Sequence, residues 1–145
     1  MKIRVSAVMS AALSHLYRYT ASSLGVVFGR GISNSGTIVG GTCPTGFGYV
    51  GGYSCGSSQH TNDIGATAAA IIGGKLYQLS SVADLSSCAF DLSAANGDYQ
   101  AMAVSESGAI LAEGFESTTG YETSCLLTPT TPLSDGTPQF TVSPL

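Results

Sequence analysis

The sequence predicts an all-β protein, a sandwich or barrel of short antiparallel strands preceded by a basic, partly helical N-terminal arm. Three observations lead there. Short apolar or alternating runs recur at roughly ten-residue intervals. Turn dipeptides lie between them, at Gly73-Gly74, Asn96-Gly97 and Asp135-Gly136. Charges are few and small polar residues many, with 10 % of the 145 residues charged and 19 glycines. A hydrophobic share of 43 % sets the chain apart from disordered ones, and its length suits one domain with a proper core. The expected division is an arm over residues 1–35 and a body over 36–145.

In the arm, Val5, Met9, Ala12, Leu16 and Tyr19 recur at three- and four-residue steps, the spacing of one helical stripe. Lys2 and Arg4 followed by Val5–Leu13 loosely resemble the start of a signal peptide. Ser6, Ser10 and Ser14 dilute that run, His15 and Arg18 follow closely, and no clean Ala-x-Ala site comes after. A retained amphipathic segment is therefore expected, too short and interrupted to span a bilayer. Ser23–Phe28 reads as a strand ended by Gly29-Arg30-Gly31, and Thr37–Val39 as a short extended run before Gly40-Gly41. Cys43–Cys55 reads as a Gly- and aromatic-rich loop, and Gly56–Asn62 as a polar, exposed stretch.

Ala66–Ile72 and Lys75–Leu79 flank two glycines, the signal of a tight hairpin, although the small residues of Ala66–Ala70 also suit a short helix. Cys88–Leu92 alternates as a strand does. Further strands are expected at Tyr99–Ser105, Ala109–Glu113, Tyr121–Leu127 and Gln139–Val142, with a turn at Glu106-Ser107-Gly108 and a Pro/Thr-rich link through Pro129 and Pro132. No internal repeat stands out.

Charge divides the chain. Lys2, Arg4, Arg18 and Arg30 are four of its five bases, and no acid precedes Asp63. From Asp63 onward Lys75 alone faces nine acids, so residues 1–62 carry +4 and residues 63–145 carry −8. The split suggests a cationic leading segment and an anionic body with different partners. An acidic body does not grip nucleic acid, and four dispersed bases make no phosphate-binding patch.

Four cysteines, Cys43, Cys55, Cys88 and Cys125, allow three complete pairings. The preferred set is Cys43–Cys55, closing a local loop, and Cys88–Cys125, joining two strands of the body. A bridge closing about a dozen residues contributes on the order of 3 kcal/mol by restricting the unfolded chain. The competing reading is four free thiols in a reducing cytosol. Zinc is disfavoured, since no two cysteines lie closer than twelve positions.

Catalytic motifs are weak. Gly46-Phe47-Gly48-Tyr49-Val50-Gly51 fits a dinucleotide fingerprint as a string, but it follows Pro44, lies between cysteines and has no helical pattern after it. It reads better as a loop presenting Phe47, Tyr49 and Tyr53, a candidate recognition loop for a sugar face or a neighbour's pocket, or a cap on the core. Ile38-Val39-Gly40-Gly41 resembles an activated protease N-terminus, without a nucleophilic serine in matching context. His15 and His60 are the histidines available to a triad, and His60 with Asp63 makes at most a two-ligand tip. Asp91, Asp98, Glu113 and Glu116 could pair for glycoside hydrolysis only if the fold brought them together. No catalytic residue, cofactor or metal is expected.

The stretch Ala66–Val142 resembles small β-rich accessory proteins of tailed-phage virions. The likeness rests on Ile72-Gly73-Gly74-Lys75-Leu76-Tyr77, Phe90, Asn96-Gly97, Val104-Ser105-Glu106-Ser107-Gly108, Ala109-Ile110-Leu111-Ala112-Glu113-Gly114 and Pro132-Leu133-Ser134-Asp135-Gly136-Thr137-Pro138. It covers about half the chain and consists of turn and strand grammar; the Cys43–Cys55 loop and Cys88 are not part of it. The resemblance implies a capsid decoration or fibre-type protein and supplies no catalytic residues. The expected function is thus a virion subunit, not an enzyme, forming homo-oligomers or contacts with other subunits. It would dock through Lys2, Arg4, Met9, Leu16, Arg18, Tyr19 and Arg30. The alternatives are a secreted pilin-like or adhesin subunit with a disulfide-closed binding loop, and an enzyme acting on surface glycans.

Overall fold

The computed structural model describes residues 2–3, 19–20, 27–43, 47–51, 54–57, 60–92 and 99–145. Its strands are β1 (Lys2–Ile3), β2 (Tyr19–Thr20), β3 (Val27–Ile32), β4 (Ile38–Thr42), β5 (Phe47–Gly51), β6 (Ser54–Ser57), β7 (His60–Gly65), β8 (Thr67–Ile72), β9 (Lys75–Gln78), β10 (Tyr99–Val104), β11 (Ile110–Phe115), β12 (Glu122–Pro129) and β13 (Phe140–Pro144). Two 3₁₀ turns, Leu79–Ser81 and Leu85–Cys88, lie between β9 and β10. The protein is all-β. Two four-stranded antiparallel sheets, β3-β4-β8-β9 and β10-β11-β12-β13, form a sandwich-like body. A three-stranded sheet, β5-β6-β7, is inserted between β4 and β8, and β1 pairs with β2.

Both main sheets start with the same hairpin. Ser33 N–H donates to Thr37 O at 2.9 Å and Gly36 N–H to Ser33 O at 3.0 Å; Ser105 to Ala109 and Gly108 to Ser105 repeat these bonds at 2.8 and 2.9 Å. The Ser33 and Ser105 hydroxyls accept from Thr37 N–H at 3.2 Å and from Ala109 N–H at 3.1 Å. Each turn closes on a left-handed glycine, Gly36 at φ 83° and Gly108 at φ 82°. Each first strand also carries a bulge, between Gly29 and Gly31 and between Ala101 and Ala103. Ile32↔Ile38 corresponds to Val104↔Ile110, and Gly29↔Gly40 to Ala101↔Ala112, 72 positions on. The third and fourth strands add in the same register, Ile71 and Leu76 in one sheet, Leu127 and Val142 in the other. The chain therefore does contain an internal repeat. Its identities reduce to Ser-x-Ser-Gly and an apolar pattern, too little to see without the pairing.

The core lies between the sheets. Val39, Ala68 and Ala70 line it from the first sheet, and Tyr99, Ala101, Ile110, Ala112 and Leu127 from the second. The crossover adds Leu79, Val82, Leu85, Cys88 and Phe90. Small residues on β3 and β8 let β10 approach closely: a Cβ on Gly31 would lie 3.3 Å from the Ala103 Cα. On β4 the glycines are obligatory. A Cβ on Gly40 would run into the Phe28 carbonyl oxygen, and one on Gly41 would sit 2.5 Å from the Phe28 ring.

Several expectations need correction. The body starts by Val27, not at 36, because β3 pairs along the whole of β4; the glycines of Gly29-Arg30-Gly31 and Gly40-Gly41 sit inside strands rather than ending them. Ala66–Ala70 is not helical, since Thr67–Ile72 is held between β4 and β9 and tertiary pairing overrides its alanine content. Gly73 and Gly74, at φ 58° and 80°, make the expected tight turn after it. Cys88–Leu92 is not a strand: Cys88 ends a 3₁₀ turn, Ala89 turns left-handed at φ 57°, and only Phe90 bridges, to Glu116. The stretch between Cys43 and Cys55 and the polar residues after it form β5, β6 and β7 rather than plain loops. Tyr19 is in a strand, so the helical stripe does not reach it. Val5–Leu16 and the Asn96-Gly97 turn lie outside the described residues.

Gly40→Ala should lower stability by about 1–3 kcal/mol, because the added methyl meets backbone that cannot move aside. Leu127→Ala, in the middle of the core, should cost about 2–5 kcal/mol. Urea denaturation should show both as a lower midpoint at unchanged slope.

Candidate functional site

The bulge in β3 decides where Arg30 points. Its Nε donates to Gln100 Oε1 at 3.1 Å, across to β10, and its guanidinium lies 5.7 Å from the centre of the Phe28 ring. Gln100 is fully buried, so its amide needs partners, and Arg30 supplies one. Arg30 is thus a body residue that ties the two sheets together, not a base of the arm. Beside it an open depression of about 300 Å³ is lined by Gly29, Arg30, Gly31, Ile32 and Ile38. Nearby, Asn34 N–H donates to both carboxylate oxygens of Glu106 at 3.1 Å, linking the tips of the two equivalent hairpins.

Both preferred disulfides are formed, Cys43–Cys55 with Cα atoms 5.6 Å apart and Cys88–Cys125 at 5.8 Å. The first joins the end of β4 to β6 and, with Ala66 and Phe28, makes a small second core at the root of the inserted sheet. The second fastens the crossover to the centre of β12 inside the main core. Phe47 and Tyr49 stand at alternate positions of β5, opposite Ser57 and Cys55; Tyr53 lies outside the described residues. Of the expected docking residues, Lys2 and Tyr19 are at the β1–β2 pair, and Arg4, Met9, Leu16 and Arg18 lie outside the described residues.

The acids are spread over the body. Glu113 stands on β11 between Gln100 and Ser124, while Glu122 opens β12 opposite Phe115. Glu116 accepts a hydrogen bond from the Thr119 hydroxyl at a turn. Asp91 follows the Phe90 bridge, its N–H donating to Phe115 O at 2.9 Å, and Asp98 lies outside the described residues. Among the described residues no three of His, Cys, Asp and Glu gather as a metal site, and no helix is long and apolar enough to cross a membrane. Burial pushes the Tyr99 hydroxyl above its usual range, against a hydrogen bond to Ser80 that lowers it. Its ring stacks on Phe90 with centroids 5.8 Å apart, a core role.

Asp84 and Asp135 are held below the usual carboxylate range by hydrogen bonds to Ser86 and Thr137, from the side chain first and then the backbone. Asp84 accepts from Ser86 N–H at 3.0 Å and Asp135 from Thr137 N–H at 2.8 Å. Both are turn-forming carboxylates on the surface.

Comparison with protein-family models, curated proteins and solved structures finds no match to this chain. The described residues offer three surfaces: an inserted sheet stapled at its root, an acid-bearing outer face on the second sheet, and the depression beside Arg30. Ile32 escaped the sequence analysis, and Ile38 entered it only within Thr37–Val39 and as the start of Ile38-Val39-Gly40-Gly41. Their significance depends on which strand each faces, and the only local sign was two isoleucines bracketing a Ser-Asn-Ser-Gly turn.

Because the folded-state values of Asp84 and Asp135 are depressed, their contribution is full above about pH 4, the unfolded range. It disappears as pH falls through the lower folded values. Asp84→Asn/Asp135→Asn should therefore flatten the acid limb of a plot of thermal midpoint against pH and leave its shape above pH 6 unchanged.

Proposed function

We propose that the protein is a structural subunit of a virion, a capsid decoration or minor structural protein of a phage. It docks through its basic N-terminal segment and turns its acidic body to solvent. The observation that carries this reading is the charge division, +4 over residues 1–62 and −8 over residues 63–145. Attached to it is a two-sheet body tied by two disulfides. Disulfides belong to oxidising surroundings, among them particle surfaces and the cell exterior. An exposed ion pair contributes about 0–1 kcal/mol. Lys2, Arg4 and Arg18 therefore steer the approach, and Val5, Met9, Leu16 and Tyr19 supply the apolar contact that holds. The same disulfides also fit a secreted pilin-like or adhesin subunit, with the inserted sheet as its binding tip.

In the full chain, Lys2→Glu/Arg4→Glu/Arg18→Glu should reduce incorporation into particles at least tenfold while leaving the thermal midpoint in place. Quantitative mass spectrometry of purified particles measures this. Unchanged incorporation would overturn the arm's role, and a mature N-terminus lacking about the first twenty residues would favour the secreted alternative.

A further inference from the structure

The repeat shows what the outer face of the first sheet is built to receive. In the second sheet the cross-strand row Val104–Ile110–Leu127–Val142 faces the core. Ile110 and Leu127 are fully buried there, with Val104 and Val142 packed against the same cluster. The equivalent row of the first sheet is Ile32–Ile38–Ile71–Leu76. Strand alternation puts it on the side opposite Val39, Ala68 and Ala70, the residues that line the core. It is a ridge of four large aliphatics. Its ends, Ile32 and Leu76, are 68 % and 46 % exposed, while Ile71 in the middle is 8 % exposed.

Alongside the ridge runs a lower row, Gly29–Gly40–Ala69–Gln78, closed in its middle, where Gly40 is buried against the Phe28 carbonyl and Ala69 is buried as well. The depression beside Arg30 lies at the β3 end of the ridge. Neither row carries a charge. Arg30 turns to Gln100, and Lys75 lies 5.2 Å over the ring of Tyr77, a residue packed against the core side. β10, the strand that packs closest on this sheet, lies on its other face.

We propose that this ridge receives the outer face of the second sheet of another copy of the chain, so that copies stack head to tail. Inside one chain the second sheet's ridge is covered by the back of the first sheet, whose middle row is Gly31–Val39–Ala70–Tyr77. The corresponding back of the second sheet is the row Ala103–Leu111–Leu126–Ser143, with half-buried Leu111 and Leu126 facing outward. Each copy thus carries an outward-facing ridge, exposed at its ends, on one sheet and the matching back on the other. The internal stack can be continued by a neighbour.

Charge agrees. A body of −7 over residues 27–145 repels its own kind, and a ridge without charge meets the neighbour's Glu113-bearing face without like-charge contact. Edge-to-edge pairing is the poorer route. β3 and β10 are bulged, β9 begins at Lys75 and β13 ends at Pro144.

Such a contact is heterologous and builds rings or filaments. Four strands at about 4.8 Å and five residues at about 3.3 Å give a face of roughly 320 Å² in plan. That is below the ~800 Å² per partner of a standard stable interface, so each contact is weak and many copies are needed. The inference deepens the assembly reading and rests on it in requiring many copies, but it uses a surface that the N-terminal segment does not.

Sedimentation velocity of the full chain over a concentration series tests it. The unsubstituted protein should form species larger than two copies. Ile32→Lys and Leu126→Glu should each weaken self-association more than tenfold at unchanged thermal midpoint. Mixed one to one, the two variants should give a two-copy species and nothing larger, since each keeps one intact face. If Leu126→Glu perturbs folding, Ser143→Arg at the exposed end of the same row takes its place. A monomer at every concentration overturns the proposal. So does assembly that survives the second-sheet variant but not Ile32→Lys, which would mean that the ridge meets itself or the protein's own N-terminal segment. Assembly that tolerates both face variants yet is lost on Lys2→Glu/Arg4→Glu/Arg18→Glu overturns the stacking alone and leaves the arm in place.

Discussion

The body depends on how closely one strand can lie across another sheet. β10 rests on β3, β4 and β8 because the groups between them are small: Gly31, Ala68 and Ala70 beneath, Ala101 and the Met102–Ala103 backbone above. Close-packed interiors lose contact energy at every gap, so small residues on both sides let the backbones themselves fill the space. The larger side chains come from elsewhere: Leu79, Val82, Leu85 and Phe90 of the crossover complete the core against Ile110 and Leu127. Gly40 and Gly41 belong to the same economy of space, since Phe28 lies directly on them.

That packing also explains what could and could not be read in advance. The fold class, the Gly73-Gly74 hairpin and most of β10 to β13 were legible, because turn chemistry and alternation are local signals. The two disulfides were legible as a preference, drawn from loop length and strand assignment. The first half was harder. Glycine and alanine in β3, β4 and β8 look like breaks or helix, because their reason for being there lies on other strands, β10 for Gly31, Ala68 and Ala70 and Phe28 of β3 for Gly40 and Gly41. Alternation misled at Cys88–Leu92, where a 3₁₀ turn brings Cys88 and Phe90 inward without any strand.

The candidate surfaces were legible only as composition. Segregated charge was visible at once, whereas the ridge needs the register of three strand pairings before Ile32, Ile38, Ile71 and Leu76 become one feature. Arg30 shows the same limit from the other side. By position it belonged with the leading bases, but a bulge swings it onto a buried glutamine. The molecule uses one strand register twice, in two four-stranded sheets, and places its departure from it in the insertion between β4 and β8.

The position of the disulfides bears on how the molecule survives attack by proteases. A backbone cut anywhere between Cys88 and Cys125, or inside the span from Cys43 to Cys55, leaves both fragments covalently joined. The sulfurs doing the joining belong to buried residues, Cys43 being 4 % exposed and the other three 2 % or less. Nicking in those spans therefore leaves a single covalent molecule, and reductant reaches the bridges only after the surrounding structure opens.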